Sequence, residues 1–328
     1  MKRFLLSIVV LFGVFAGCGT GDLNDHLPKR LDDVKIGIIQ SMHHDSLDQS
    51  YNGFKDVLIE AGVKEENIDY LIAGDLSNCY SVADKLVNAN SDLICAISTP
   101  AMQAASAATT NIPLVGCAIT DYELSRLIES RDNPNGHITG VSDLTPIDEQ
   151  FDLIKQLLPD TKKVAIMFCG SEDNSIIQGQ MAEEAAKSHG FEYKVYTVSE
   201  SNEIQSITEK ICNDQVDVIY IPTDNLLATY ISSVEGITSQ YQIPIIPGAK
   251  SMVEVGGYAT YGLDYYNLGQ LAGEQAIAII NGEKTTANTP IAYLDADDCQ
   301  LIVNLKIAKK CGLSTNKADY PDNTKFVE

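Results

Sequence analysis

A chain of 328 residues, 45% of them hydrophobic, has length for two domains of ordinary size or one large one, and ample material for their cores. Its formal charge is −22 and it carries no lysine/arginine cluster. Nucleic acid and anionic membrane surfaces both demand a basic footprint, so they are excluded as partners of the folded body.

The first residues are a charged pair, Lys2-Arg3, then an apolar run from Phe4 to Phe15, then Ala16-Gly17 before Cys18. A basic start, an apolar stretch too short to span a bilayer and small residues before a cut describe a segment removed on export. With cysteine directly after the small pair, the pattern is that of a bacterial lipoprotein signal: residues 1–17 are cleaved and Cys18 takes the lipid. An ordinary secretory signal and an N-terminal membrane anchor are the alternatives. Residues 18–33 then form a lipidated polar tether.

From residue 34 short apolar runs alternate with amphipathic segments, the signature of parallel strands joined by crossover helices. The expected order is strand 34–40, helix 46–61, strand 68–72, helix 77–88, strand 92–97, helix 100–109, strand 112–119 and strand 137–141. The same order then recurs as strand 163–168, helix 175–189, strand 192–198, helix 203–213, strand 216–221, helix 226–240 and strand 243–247. Gly62 and Gly190 stop corresponding helices in the two halves. The fold class is α/β, with two doubly wound Rossmann-like lobes.

Seven cysteines follow Cys18: Cys79, Cys95, Cys117, Cys169, Cys212, Cys299 and Cys311. An odd number argues against a complete disulfide framework. Cys95, Cys117 and Cys169 sit within apolar strand-like runs, where a thiol behaves as a small buried hydrophobe. No CxxC pair exists to form a zinc site or a redox dithiol.

In open α/β sheets the ligand crevice lies beyond the carboxyl ends of the strands. The residues there are polar: Ser41, His43 and Ser46, then Ser98 and Thr99, Thr120 and Asp121, Ser171, Glu172, Asn174 and Ser175, Thr223, Asp224 and Asn225, and Asp264. Ser98-Thr99-Pro100 has the form of a capped helix start with proline at its first position, whose free N–H groups suit a carboxylate. Asp224 and Asp264 follow apolar strands, where a carboxylate requires a cation or several donors. Each of these groups also reads as a plain helix cap. Acids opposite helix N-termini would together bind a zwitterion such as a free amino acid.

Catalytic patterns are absent. No GxSxG elbow, P-loop or complete GxGxxG follows a strand, and His43-His44-Asp45 lacks a second ligand pair for a metal. The expectation is a non-enzyme without cofactor or metal, although an enzyme on a Rossmann-like scaffold stays open as a competing class.

Several segments, in one order, resemble the tryptophan/tyrosine-type substrate-binding proteins of ABC importers, a branch of the type I periplasmic-binding fold. They are Ser98 to Gln103, Ala118 to Asp121, Ile138 to Asp143, Ser171 to Ser175, Pro222 to Asn225 and Met252 to Gly257. The resemblance implies a hinge and a cleft between the lobes that closes on a free amino acid, an aromatic one by the family's naming: tryptophan, tyrosine or phenylalanine. It implies lobe 1 over residues 34–143 completed by 265–287, and lobe 2 over 144–264 completed by 288–328. The third crossing would then fall near residues 288–290. Met42, Phe168 or a tyrosine would supply the apolar walls that an aromatic ligand needs, since the chain has no tryptophan. Tyr122 stands where proline is common among relatives. Partners implied are ABC permease subunits, with a monomeric body outside the cytoplasm and touching the membrane through its lipid only. A sensory lipoprotein reporting ligand to a membrane receptor would share the fold and cleft.

Overall fold

The computed structural model describes residues 30–134, 136–294 and 299–328. The signal segment, Cys18 and the tether up to residue 29 lie outside the described residues. Among the described residues no helix is long and apolar enough to cross a membrane.

The first lobe runs β1 (Ile36–Gln40), α1 (Asp45–Ala61), β2 (Ile68–Ile72), α2 (Cys79–Asn88), β3 (Leu93–Ile97), α3 (Thr99–Ala108), β4 (Leu114–Ile119) and β5 (Ile138–Ser142). Its strands form one parallel sheet in the order β2-β1-β3-β4-β5. β1, β3 and β4 are buried along their whole length, because helices cover both faces, and so they read as unbroken apolar runs. Gly62 ends α1 with φ +106°, a left-handed cap whose N–H bonds back to Ile59 and Leu58 carbonyls.

The second lobe opens with α4 (Ile147–Leu157), a helix the strand and helix reading left unassigned; Ile147, Phe151 and Ile154 form its buried stripe. It continues through β6 (Lys163–Cys169), α5 (Asp173–Ser188), β7 (Glu192–Val198), α6 (Ile204–Asn213), β8 (Val218–Ile221), α7 (Asn225–Thr238), β9 (Ile245–Pro247), α8 (Lys250–Val255) and β10 (Ala259–Gly262). The parallel order β7-β6-β8-β9 repeats that of β2-β1-β3-β4. Tyr258 N donates to Ile245 O at 2.7 Å and carries the layer on to β10.

The chain then returns to the first lobe as α9 (Tyr265–Ile280), which packs along α1. The two helices approach closely enough that a Cβ on Gly53 would lie 2.0 Å from Tyr266 O, and one on Gly269 2.1 Å from Ser50 O. After α9, Ala292 still belongs to the first sheet: its N–H donates to Gly140 O at 2.9 Å and its carbonyl accepts from Ser142 N at 2.8 Å. At Ala292, past residues 288–290 where the return crossing is expected, the chain is thus still held to the first lobe by backbone pairing with β5. β11 (Gln300–Asn304) pairs antiparallel with β10, α10 (Leu305–Lys310) follows, and β12 (Lys325–Val327) pairs parallel with β11.

Tyr122 is fully buried, with its hydroxyl donating to Val141 O at 3.3 Å. Gly116 and Gly140 make room for it: a Cβ on either would come within 2.3 Å and 2.4 Å of that hydroxyl. Cys79, Cys95, Cys117, Cys169, Cys212 and Cys311 are buried thiols outside any disulfide. Burial raises each of them, Cys117 and Cys169 to about 12, so they stay protonated and inert as packing residues.

Candidate functional site

The carboxyl ends of both sheets face each other across a cleft that is closed. Ser46 Oγ on α1 lies 2.6 Å from Ser251 Oγ on α8, and Gln103 Nε2 on α3 donates to Asp173 Oδ2 on α5 at 2.7 Å. Thr120 Oγ1 accepts from Gln178 Nε2 at 3.4 Å, and His44 Nε2 lies 3.2 Å from Asn225 Oδ1. Each pair joins one lobe to the other.

Between the lobes the closed cleft leaves a small cavity. Its lining includes Thr99, Thr120 and Asp143 from the first sheet's edge, Asn174, Thr223, Asp224 and Asn225 from the second, and His44 and Ser46 from the start of α1. Leu47, Ala118, Ala228, Ala249, Met252 and Tyr265 supply apolar surface. Among the described residues no lysine or arginine lines it.

Two non-glycine residues beside the cavity hold left-handed backbone: Ser98 with φ +96° and Ala118 with φ +56°. Ala118 sits where the β4–β5 register shifts, and the bulge turns it toward the cavity. Ser98 caps α3 by accepting from Ala101 N, and its hydroxyl donates to Ser41 Oγ at 2.7 Å.

The acids carry most of the site's electrostatics. Asp224 caps α7, its Oδ1 accepting from Leu227 N at 2.7 Å and its Oδ2 from Cys169 N at 2.6 Å. Glu172, also buried, accepts from Leu226 N at 3.1 Å and from Asn225 Nδ2. Burial, and then the Asp224 charge, push Glu172 up to about 8; burial likewise raises Asp224. Asp143 accepts from Tyr265 Oη at 2.8 Å and Thr120 Oγ1 at 3.3 Å, and burial raises it too, against the pull of those hydrogen bonds. Three buried carboxyls with no lysine or arginine on the lining make an environment that favours a cation.

The structure places the residues singled out in the sequence in three groups. Ser46, Thr99, Thr120, Asn174, Thr223, Asp224 and Asn225 line the cavity. Ser41, Ser98, Glu172 and Ser175 are buried off the lining, among the groups that support it. His43, Asp121, Ser171 and Asp264 stand elsewhere. His43 is exposed beside Asp48, and Ser171 is exposed with its hydroxyl on Ser199 O at 3.4 Å. Asp121 caps the turn at Glu123 and Leu124, and Asp264 is exposed and caps α9 through Tyr266 and Asn267 N–H groups. Asp121 and Asp264 serve the local backbone, and beside His43, Asp121 and Asp264 it is the adjacent His44, Thr120 and Tyr265 that line the cavity.

Among the lining residues that escaped the sequence reading, three carry polar groups, His44, Asp143 and Tyr265, and five are apolar, Leu47, Ala118, Ala228, Ala249 and Met252. Asp143 and Tyr265 each sit where the chain crosses between lobes, and a crossing has no periodicity to mark an inward side. Met42 and Phe168 do not line the cavity; Phe168 is packed against Gly179, and Met42 lies by Thr229.

A family model described as ABC transporter substrate binding protein matches residues 35–320. The chain belongs to that family. A tyrosine-binding protein of Clostridioides difficile (strain R20291) is 34% identical over 331 residues, covering 99% of this chain and 93% of that protein. Among solved structures, an ABC domain from Streptococcus pneumonia in complex with L-Trp superposes with a TM-score of 0.85 at 33% identity, covering 90% of this chain and 99% of that one. The ligand-free, open structure of a Clostridium difficile substrate-binding protein with adhesive properties, also 33% identical and with the same coverage, gives 0.68. At equal identity the chain matches the ligand-bound relative better than the open one, in keeping with the interlobe hydrogen bonds above.

Proposed function

We propose that this protein is the extracytoplasmic solute-binding lipoprotein of an ABC importer and that its cleft closes on a free aromatic amino acid. The observation that carries this reading is the enclosed cavity with Asp143 and Asp224 on its wall, Glu172 behind it, and no lysine or arginine on the lining. A ligand ammonium between Asp143 and Asp224 would supply the missing positive charge. The N-terminus of α3 at Thr99, with the Thr120 hydroxyl, would receive the carboxylate. Leu47, Ala118, Ala228, Ala249, Met252 and the Tyr265 ring would take the side chain. The names of the tyrosine-binding relative and the L-Trp complex support the aromatic class.

A ligand that binds only the folded state at about 100 times its Kd adds about 2.7 kcal/mol of stability. Ligand-stripped protein screened by thermal shift against the twenty amino acids should therefore respond to tryptophan, tyrosine or phenylalanine. A response confined to sugars or nucleosides would overturn the amino-acid reading. Anchoring has its own test: Cys18→Ala should leave the precursor unprocessed and without lipid, as read by mass spectrometry of the membrane fraction. A lipidated N-terminus in that variant would remove the anchor from the proposal.

A further inference from the structure

Two buried atoms on the cavity residues have no hydrogen-bond partner among the described residues: Nδ1 of His44 and Oδ1 of Asn174. For Asn174 the amide orientation follows from its Nδ2, which donates to Ser175 Oγ at 3.2 Å and Thr223 O at 3.4 Å. For His44 the tautomer follows from a chain of bonds across the cleft. Asn225 donates its Nδ2 to Glu172 and so presents its Oδ1 to His44 Nε2. An amide oxygen only accepts; Nε2 must carry the proton. Burial also pushes the imidazole down to about 4, which keeps the ring neutral. Its Nδ1 is then a bare lone pair, and a buried acceptor left unmatched is costly unless a ligand donor reaches it.

The surroundings of this lone pair separate it from the acids. Leu47 lies one helical turn beyond His44 on α1, and Ala228 one turn beyond Asn225 on α7, and all four line the cavity. Such walls suit an apolar side chain that carries one donor. The carboxyls of Asp143 and Asp224 are the stronger partners for an ammonium group. Resting on the amino-acid reading above, we infer that His44 is a specificity-determining residue whose Nδ1 accepts a hydrogen bond from a donor on the ligand's aromatic ring, a phenol O–H or an indole N–H, so that the cleft selects ligands bearing one over phenylalanine.

The test is calorimetry of ligand-stripped protein with tyrosine, tryptophan and phenylalanine, for the wild type, His44→Gln and His44→Asn. Gln reaches toward Asn225 like the ring's Nε2 but offers nothing at the Nδ1 position; Asn restores an acceptor there. The wild type should bind tyrosine or tryptophan at least tenfold more tightly than phenylalanine. His44→Gln should weaken the donor-bearing ligand about tenfold or more and phenylalanine less than threefold, and His44→Asn should recover part of the preference. On binding, the Nδ1 resonance in ¹⁵N spectra should shift as a lone pair that has accepted a proton donor. Equal losses for all three ligands would reduce His44 to a tie between the lobes and overturn the inference, as would a wild type indifferent to the ring donor. A wild type that binds none of the three would instead overturn the aromatic reading beneath it, and with it this role for His44. Should His44→Gln fail to fold, His44→Asn and the ring resonance still decide the matter.

Discussion

The Tyr265 hydroxyl donates to Asp143 Oδ2 at 2.8 Å and so ties together two of the chain's crossings between lobes, one after β5 and one after β10. Both residues also line the cavity, which makes this bond a link between the hinge and the site. Tyr265→Phe keeps the ring but leaves the buried Asp143 carboxyl with Thr120 as its remaining side-chain donor. The loss should cost about 1–3 kcal/mol of stability, measurable by chemical denaturation, and should weaken ligand binding. Unchanged stability would mean that Asp143 finds a replacement donor.

Stability should fall with rising pH above neutrality through Glu172. Its folded value is raised from 4.5 to about 8, so the folded protein holds a proton that the unfolded chain has released. Stability is therefore fullest below 4.5 and is lost as the pH passes through about 8. His44, lowered from 6.5 to about 4, acts in the opposite sense, but its contribution is complete by 6.5. The window above 6.5 removes the imidazole's contribution, while Asp143 and Asp224, also raised by burial, act in the same sense as Glu172. Melting of ligand-free protein from about pH 6.5 to 8.5 should show a decline that Glu172→Gln flattens; parallel curves for the two proteins would place the proton elsewhere.

Asp264 and Asp143 should behave as opposites. Asp264→Ala removes the cap of α9, at a cost of about 0.5–2 kcal/mol, and should leave affinity for the ligand within twofold because the side chain is exposed. Asp143→Asn is nearly isosteric yet removes a buried charge facing the cavity. It should weaken an amino acid much more than its analogue lacking the amine. Equal losses for amine-bearing and amine-lacking ligands would remove Asp143 as the ammonium partner.

Gly269→Ala probes the return of α9 to the first lobe. The new methyl would meet Ser50 O at 2.1 Å and Phe54 N at 2.8 Å, backbone atoms that cannot turn aside. Separation of α1 from α9 should destabilise by about 1–3 kcal/mol or more. A melting temperature equal to wild type would show the two helices to be looser than their spacing indicates.

The strand and helix order was legible in the sequence because each buried strand is an unbroken apolar run and glycine stops matching helices in the two halves, as Gly62 and Gly190 do. The doubly wound fold followed, and family motifs pointed to a cleft between lobes. Sequence spacing did not tell neighbours apart at the strand ends. His44 rather than His43, Thr120 rather than Asp121 and Tyr265 rather than Asp264 face the cavity. A side chain's direction there depends on the backbone angles of one or two cap residues, and a step of a single residue turns it from solvent to site. Asp143 was hidden for another reason: it belongs to a crossing, and its burial comes from two distant segments, at Thr120 and Tyr265, meeting over it. Only closure of the chain upon itself brings those partners together, because their contacts span 23 and 122 positions of sequence.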